Sequence, residues 1–209
     1  MKTLPETLIT EDGPTVVGAG PDLLRRLLTE LERELAAQAV PVDLLLPGVD
    51  GGEVRRSLQK AGRDAPDEIV VWFEWHNGVR PDADGDYVHV LPRFDLWSLR
   101  TVVETEPDLP YGKEDWEWDP DWVQLAGDHN GLIYKGKRDP ALPALIRAMD
   151  PIATAAHNAQ QQAVSLCTPV TWWIDELRKG WIRWDSSLNH WDKSRWAEIP
   201  LERRLTSLV

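Results

Sequence analysis

Apolar residues recur at three- and four-residue spacing from Pro21 onward, at Leu23, Leu24, Leu27, Leu28, Leu31 and Leu35, which predicts an amphipathic helix over residues 21–39. Pro21 suits the first helical position and Pro41 forbids much continuation. Asp50 can cap a second helix with Glu53 in its first turn, ending at Gly62. A third starts at Pro66, with Asp67 and Glu68 complementing the helix dipole, and stops at Asn77-Gly78. On this helix Phe73 should be buried with Ile69, Trp72 packed, and Trp75 partly exposed. The period then changes. Tyr87 to Leu91 reads as a strand after an Asp-Gly turn, and Asp95 can cap a short helix carrying Leu96, Leu99, Val102 and Val103. Trp122–Leu125 and Leu132–Tyr134 flank a five-residue turn, the pattern of a hairpin. Ala144 to Met149 reads as a further strand, and Thr168-Pro169 opens a helix ending at Gly180, followed by a short strand over Trp181–Trp184. Residues 153–167, rich in Ala and Gln, give no clear period.

Helices at both ends with hairpins between them argue for an α+β fold and against alternating βαβ units. Residues 1–20 read as an N-terminal arm with a turn at Asp12-Gly13-Pro14, and residues 21–209 as a single domain. The apolar runs are too short to span a bilayer, and Met1-Lys2 leads into polar residues where an export signal needs an apolar core. The single cysteine, Cys167, excludes an internal disulfide and fits a reducing compartment, so a cytoplasmic location is expected.

Charge narrows the partners. The formal net charge is −12 over 209 residues. Residues 61–130 hold five basic against seventeen acidic side chains, while the two flanks cancel. Such a field repels phosphate backbones and attracts a basic surface, so nucleic acid and membrane are not expected partners. Twelve tryptophans are the other oddity of composition. Where exposed, tryptophan is a preferred interface anchor.

Candidate chemistry is thin. Asp82-Ala83-Asp84-Gly85-Asp86 opens like a calcium loop, but Tyr87 and Arg93 stand where that loop needs glycine and a bidentate glutamate. An acidic turn is the better reading. His76, His89, His129, His157 and His190 form no pair at metal-ligand spacing, so no metal or cofactor is expected. No serine or cysteine sits in a nucleophile-elbow motif, and Gly18-Ala19-Gly20 lacks the third glycine of a phosphate loop. The carboxylates Asp115, Glu117, Asp119 and Asp121 leave acid–base hydrolysis formally open, although so dense a run usually marks a solvated face.

Two segments carry a resemblance. Gly48-Val49-Asp50-Gly51-Gly52-Glu53-Val54 leads to Gly62, then Pro66, Ile69, Val70, Trp72, Phe73 and Trp75-His76-Asn77-Gly78. Trp122-Val123-Gln124-Leu125-Ala126-Gly127-Asp128 then runs to Gly131, and a closing helix from Pro169 leads to Trp181-Ile182-Arg183-Trp184-Asp185. Over residues 48–192 this order resembles the SUKH superfamily, the group that includes the fungal cell-wall-synthesis regulators. Leu58 stands where an acidic residue is common there, Gln124 where proline is common, and His129-Asn130 where glycines are common.

The resemblance implies a curved, mostly antiparallel sheet packed by N- and C-terminal helices, with no catalytic machinery. It also implies an immunity protein that binds and neutralises a cognate bacterial toxin, often a nuclease. A regulatory or scaffold protein that recruits an endogenous partner is the alternative, and a hydrolase using the acidic loop ranks last. An acidic surface suits the cover of a basic active site. The expected contacts are Trp75, Asp82, Asp84, Asp86, Asp115, Trp116, Glu117, Trp118, Asp119, Asp121 and Asp128.

Overall fold

Each of the three N-terminal helices starts where the sequence signals place it. A computed structural model describes residues 3–92, 94–104, 121–127, 131–137, 139, 142–149, 162–192, 194–200 and 203. Helix α1 (Pro21–Ala37) buries Leu23, Leu24, Leu27, Leu28, Leu31 and Leu35. It closes with Ala39 in a left-handed conformation and the Val40 N–H donating to Leu35 C=O at 3.1 Å. Helix α2 (Gly51–Lys60) is capped by Asp50, whose carboxylate accepts from the Glu53 N–H at 3.1 Å. Helix α3 (Asp67–Trp75) buries Ile69, Val70, Val71, Trp72 and Phe73 and leaves Trp75 half-buried. The loop before α2 touches the end of α3, with the Val49 N–H donating to Phe73 C=O at 2.9 Å. Gly48 permits that approach, because a Cβ there would overlap the backbone carbonyl of Glu74.

The end of α3 departs from the expected Asn77-Gly78 terminus. The chain turns extended at His76 and enters strand β4 (His76–Val79), which pairs antiparallel with β3 (Leu45–Pro47). Gly78 has the positive φ expected of it, +97°, but within this strand. Asn77 serves a different helix: its side-chain oxygen accepts from the Leu99 N–H at 2.7 Å, at the start of α4 (Leu99–Glu104). The Ser98 hydroxyl accepts from the Thr101 N–H at 3.0 Å and completes that cap. Asp95 is therefore not the cap; it pairs with His89, and its carbonyl accepts from the Gly127 N–H at 2.8 Å. Nor do residues 87–91 form a strand. Val88, Val90 and Leu91 are buried, but the backbone finds no ladder and folds back in a tight Val90 N–H to Val88 C=O turn.

Strands β5 (Trp122–Ala126), β6 (Gly131–Lys135), β7 (Leu145–Met149) and β8 (Gln162–Val164) form an antiparallel sheet in that order. Val123, Leu125, Leu132, Tyr134, Ile146 and Ala163 point from one face into the main core. On the other face Trp122 and Ile133 form a small separate cluster with Leu145. The Arg147 guanidinium lies 4.7 Å from the Trp122 ring centre there. Helix α5 (Cys167–Lys179) covers α1, burying Val170, Trp172, Trp173, Ile174 and Leu177, and ends at Gly180. At its far end Arg178 pairs with Glu34 at 2.7 Å and with Glu30, tying α5 to α1 through charge as well as packing.

Two hairpins complete the chain. Strands β1 (Thr7–Thr10) and β2 (Gly13–Val16) occupy the stretch that read as an arm, and β2 lies beside β8. Strands β9 (Arg183–Asp185) and β10 (His190–Asp192) stack Trp184 edge-on against Trp191 at 5.2 Å, and the Trp191 indole N–H donates to His89 C=O at 2.7 Å. Every ladder among the described residues is antiparallel, and the fold is α+β.

Candidate functional site

The acidic turn after β4 is built by its own backbone. One oxygen of the Asp82 carboxylate accepts from the N–H groups of Asp84 and Asp86 at 2.9 and 3.0 Å. The Asp82 N–H donates to Asp86 C=O at 2.9 Å, and the Gly85 N–H returns to Asp82 C=O at 3.2 Å. Asparagine- and aspartate-type turns close in this way because a short side chain imitates a backbone carbonyl. Asp82 is thereby spent on the turn. The carboxylates of Asp84 and Asp86 are exposed and meet no cation among the described residues. Tyr87 follows directly, with 75% of its surface exposed. Behind the turn, Arg80 pairs with Asp43 at 3.2 Å, and the Arg80 N–H donates to Leu44 C=O at 2.9 Å, which fixes the turn to the body.

Acids elsewhere are largely engaged. Asp22 and Glu74 hold Arg25, Asp67 holds Arg55, Glu104 holds Arg100, Glu198 holds Arg195, and Asp175 holds both Lys179 and Arg203. Asp121 belongs with these. It is partly buried at the base of the β5–β6 hairpin, with Lys137 at 2.6 Å and Lys135 at 3.9 Å. The hydrogen bond that Lys137 donates to the Asp121 carboxylate raises its ammonium above the usual range. Trp75 is half-buried, as expected, but its polar edge is already used: the indole N–H donates to Glu32 at 3.0 Å and the ring meets His76 at 4.6 Å. Asp115, Trp116, Glu117, Trp118, Asp119 and Asp128 lie outside the described residues. Of the expected contacts that are described, Asp84 and Asp86 are the acids left free.

Tyr87 was not among those contacts, because the Tyr87–Leu91 alternation read as a strand. A signal was present nonetheless, an aromatic directly after an Asp-Gly-Asp turn.

The chemically richest cluster is enclosed. The Glu68 carboxylate, 2% exposed, accepts from the Ser165 hydroxyl at 2.5 Å, from the Leu166 N–H at 2.9 Å and from the Ala144 N–H at 3.3 Å. Burial raises the Glu68 carboxyl above the ordinary carboxylate range, against the pull of those three donors. The Cys167 thiol lies 4.0 Å from Glu68 and is pushed up to about 11 by burial and by that carboxylate. Ser165 is held at φ +75°, a conformation L-residues rarely take, between β8 and α5. Ser165 and Cys167 are fully buried, and the serine hydroxyl already donates to Glu68 and accepts from the Cys167 N–H. The Glu68 carboxylate thereby ties three segments together, α3, the stretch before β7 and the junction of β8 with α5.

An open groove of about 370 Å³ lies between the starts of α1, α2 and α3, lined by Arg25, Asp50, Gly51, Arg55, Asp67 and Glu74 among others. Its charges satisfy one another: Arg25 donates to Glu74 at 3.2 Å and Arg55 to Asp67 at 2.6 Å. Among the described residues no group of His, Cys, Asp and Glu is placed to hold a metal ion, and no helix is long and apolar enough to cross a membrane. No family model matches this chain, and no curated protein matches it.

Proposed function

We propose that the chain is a non-catalytic, protein-binding immunity protein of the SUKH type, which neutralises a cognate toxin domain by docking a basic surface of it on the acidic turn. One observation carries the reading: two unpaired carboxylates, Asp84 and Asp86, and the exposed Tyr87 ring stand side by side on a turn whose backbone is fixed internally. Free surface carboxylates steer a basic partner inward, and an exposed tyrosine supplies the apolar area that is desolvated on contact. A preformed turn lowers the ordering cost of binding. The net charge of −12 extends the same field over the molecule.

The test is a search of the neighbouring genes for a toxin-like domain, followed by protection from any such domain that is encoded there. Cells expressing that domain should grow when the wild-type chain is co-expressed. The variant Asp84→Asn, Asp86→Asn, Tyr87→Ala should protect poorly. In purified form it should associate more slowly and with a flatter dependence on salt, since rim charges act mainly on the encounter rate. Truncating Tyr87 alone should act on dissociation, by about 1–2 kcal/mol for an aromatic anchor. Equal association by variant and wild type across ionic strength refutes the acidic turn as the docking surface. Binding to an endogenous protein, with no protection from any toxin, would assign the chain to the regulatory alternative.

A further inference from the structure

The first strand of the N-terminal hairpin has an outer edge that no described residue pairs with. The Val17 N–H donates to Glu6 C=O at 2.9 Å, so Glu6 and Val17 form a hydrogen-bonded pair. Alternation along the register Thr7↔Val16, Leu8↔Thr15, Ile9↔Pro14 then turns the backbone groups of Glu6, Leu8 and Thr10 toward β2. Those of Thr7 and Ile9 point outward. On β2 the outward positions are Pro14 and Val16. Pro14 has no N–H to offer, and Gln162 covers that side, its amide donating to Asp12 C=O at 2.7 Å. A Cβ on Gly13 would stand 2.5 Å from the Gln162 carbonyl oxygen.

The β1 side has no such protection. No described residue hydrogen-bonds the outward backbone of Ile9, and Leu8 and Ile9 are 44% and 76% exposed. Natural sheet edges are blunted by lysine, proline or a bulge, and Thr7-Leu8-Ile9-Thr10 contains none of these. The strand is nonetheless anchored: Val16 is buried, and the Trp172 indole N–H donates to the Thr7 hydroxyl at 3.3 Å. Around it Glu6, Glu11 and Asp12 carry carboxylates with no cation among the described residues.

We propose that the outer edge of β1 accepts an extended, lysine- or arginine-bearing segment of a partner protein by strand addition. Backbone bonds to Thr7 and Ile9 would supply the register, Leu8 and Ile9 the apolar contact, and the three carboxylates the preference for a basic segment. The surface uses residues other than the acidic turn and stands whether or not the partner is a toxin.

The test uses the full chain and two synthetic hexapeptides, one alternating lysine with valine and one alternating glutamate with valine. The lysine peptide should slow hydrogen exchange at the Thr7 and Ile9 amides, with a dissociation constant on the order of 1 mM, as befits a few backbone bonds. The glutamate peptide should not. Ile9→Pro deletes an outward N–H that makes no internal bond, so it should weaken the lysine peptide at least about tenfold while the Val17 amide stays protected. Should that variant lose Val17 protection, the surface variant Glu6→Gln, Glu11→Gln, Asp12→Asn decides the matter through weaker, less salt-dependent peptide binding. Four results overturn the proposal: no protection of Ile9 by the lysine peptide, equal protection by both peptides, binding unchanged in the variants, or a dimer of the peptide-free chain that Ile9→Pro abolishes.

Discussion

Replacing Glu68 should reveal how much of the fold hangs on one carboxylate. Glu68→Ala leaves the Leu166 N–H, the Ser165 hydroxyl and the more distant Ala144 N–H without their acceptor, all inside the protein. A buried donor left unsatisfied costs about 1–3 kcal/mol. Two strong donors and one weak one, less the relief of no longer burying a carboxylate, leave a net loss of about 3 kcal/mol. In a chain of this length that lowers Tm by roughly 6–12 °C.

Glu68→Gln isolates the charge. Because burial raises the Glu68 carboxyl, the folded protein holds that proton more tightly than the unfolded chain does. Its contribution to stability is complete below the ordinary value of 4.5 and is lost as pH rises through the folded-state value. Glutamine cannot titrate, so urea denaturation of both proteins from pH 4 upward should show the wild type losing stability relative to Glu68→Gln as pH rises. Parallel curves over the whole range would refute the account of Glu68 as a buried carboxylate whose desolvation outweighs its hydrogen bonds.

Three further substitutions test the framework around the site. Gly48→Ala should cost about 2–3 kcal/mol, read from thermal melts, because the added methyl meets the backbone carbonyl of Glu74, which cannot give way as a side-chain end could. Asp50→Ala should cost about 1 kcal/mol by removing the α2 cap, with Asp50→Asn recovering most of it in the same urea titration. Gly78→Val should destabilise by at least about 1 kcal/mol, since φ is +97° and a Cβ would sit 3.1 Å from the Ser98 nitrogen. An unchanged melting temperature for Gly78→Val would show the strand to be free to adjust.

Local rules sufficed wherever a segment's structure rests on its own residues. The leucine period of α1, the Asp50 cap, the Phe73 and Ile69 pair, the half-buried Trp75 and the Gly180 terminus could all be read along the chain, because each depends on neighbours within one or two turns. The misreadings share one cause: whether a distant segment is there to pair with, which a local pattern does not carry. Asn77-Gly78 looked like a helix terminus, but β3 offered a ladder and α4 needed a cap, so the helix ended at Trp75. Tyr87 to Leu91 alternates like a strand and found no strand to pair with, which left Tyr87 in solvent beside two free carboxylates.

The same division runs through the acidic surface. The sequence determined that this chain is acidic and which residues could bear that charge. Which carboxylates remain available was settled in three dimensions, by the cations that Asp121, Asp67 and Glu74 meet and that, among the described residues, Asp84 and Asp86 do not. Glu68 marks the limit most sharply, since Ala144 and Leu166 lie 76 and 98 residues away and nothing local announces them. Helix periods and caps follow from interactions over a few residues, whereas the state of a charge follows from every group folded against it, and only the tertiary structure brings those groups together.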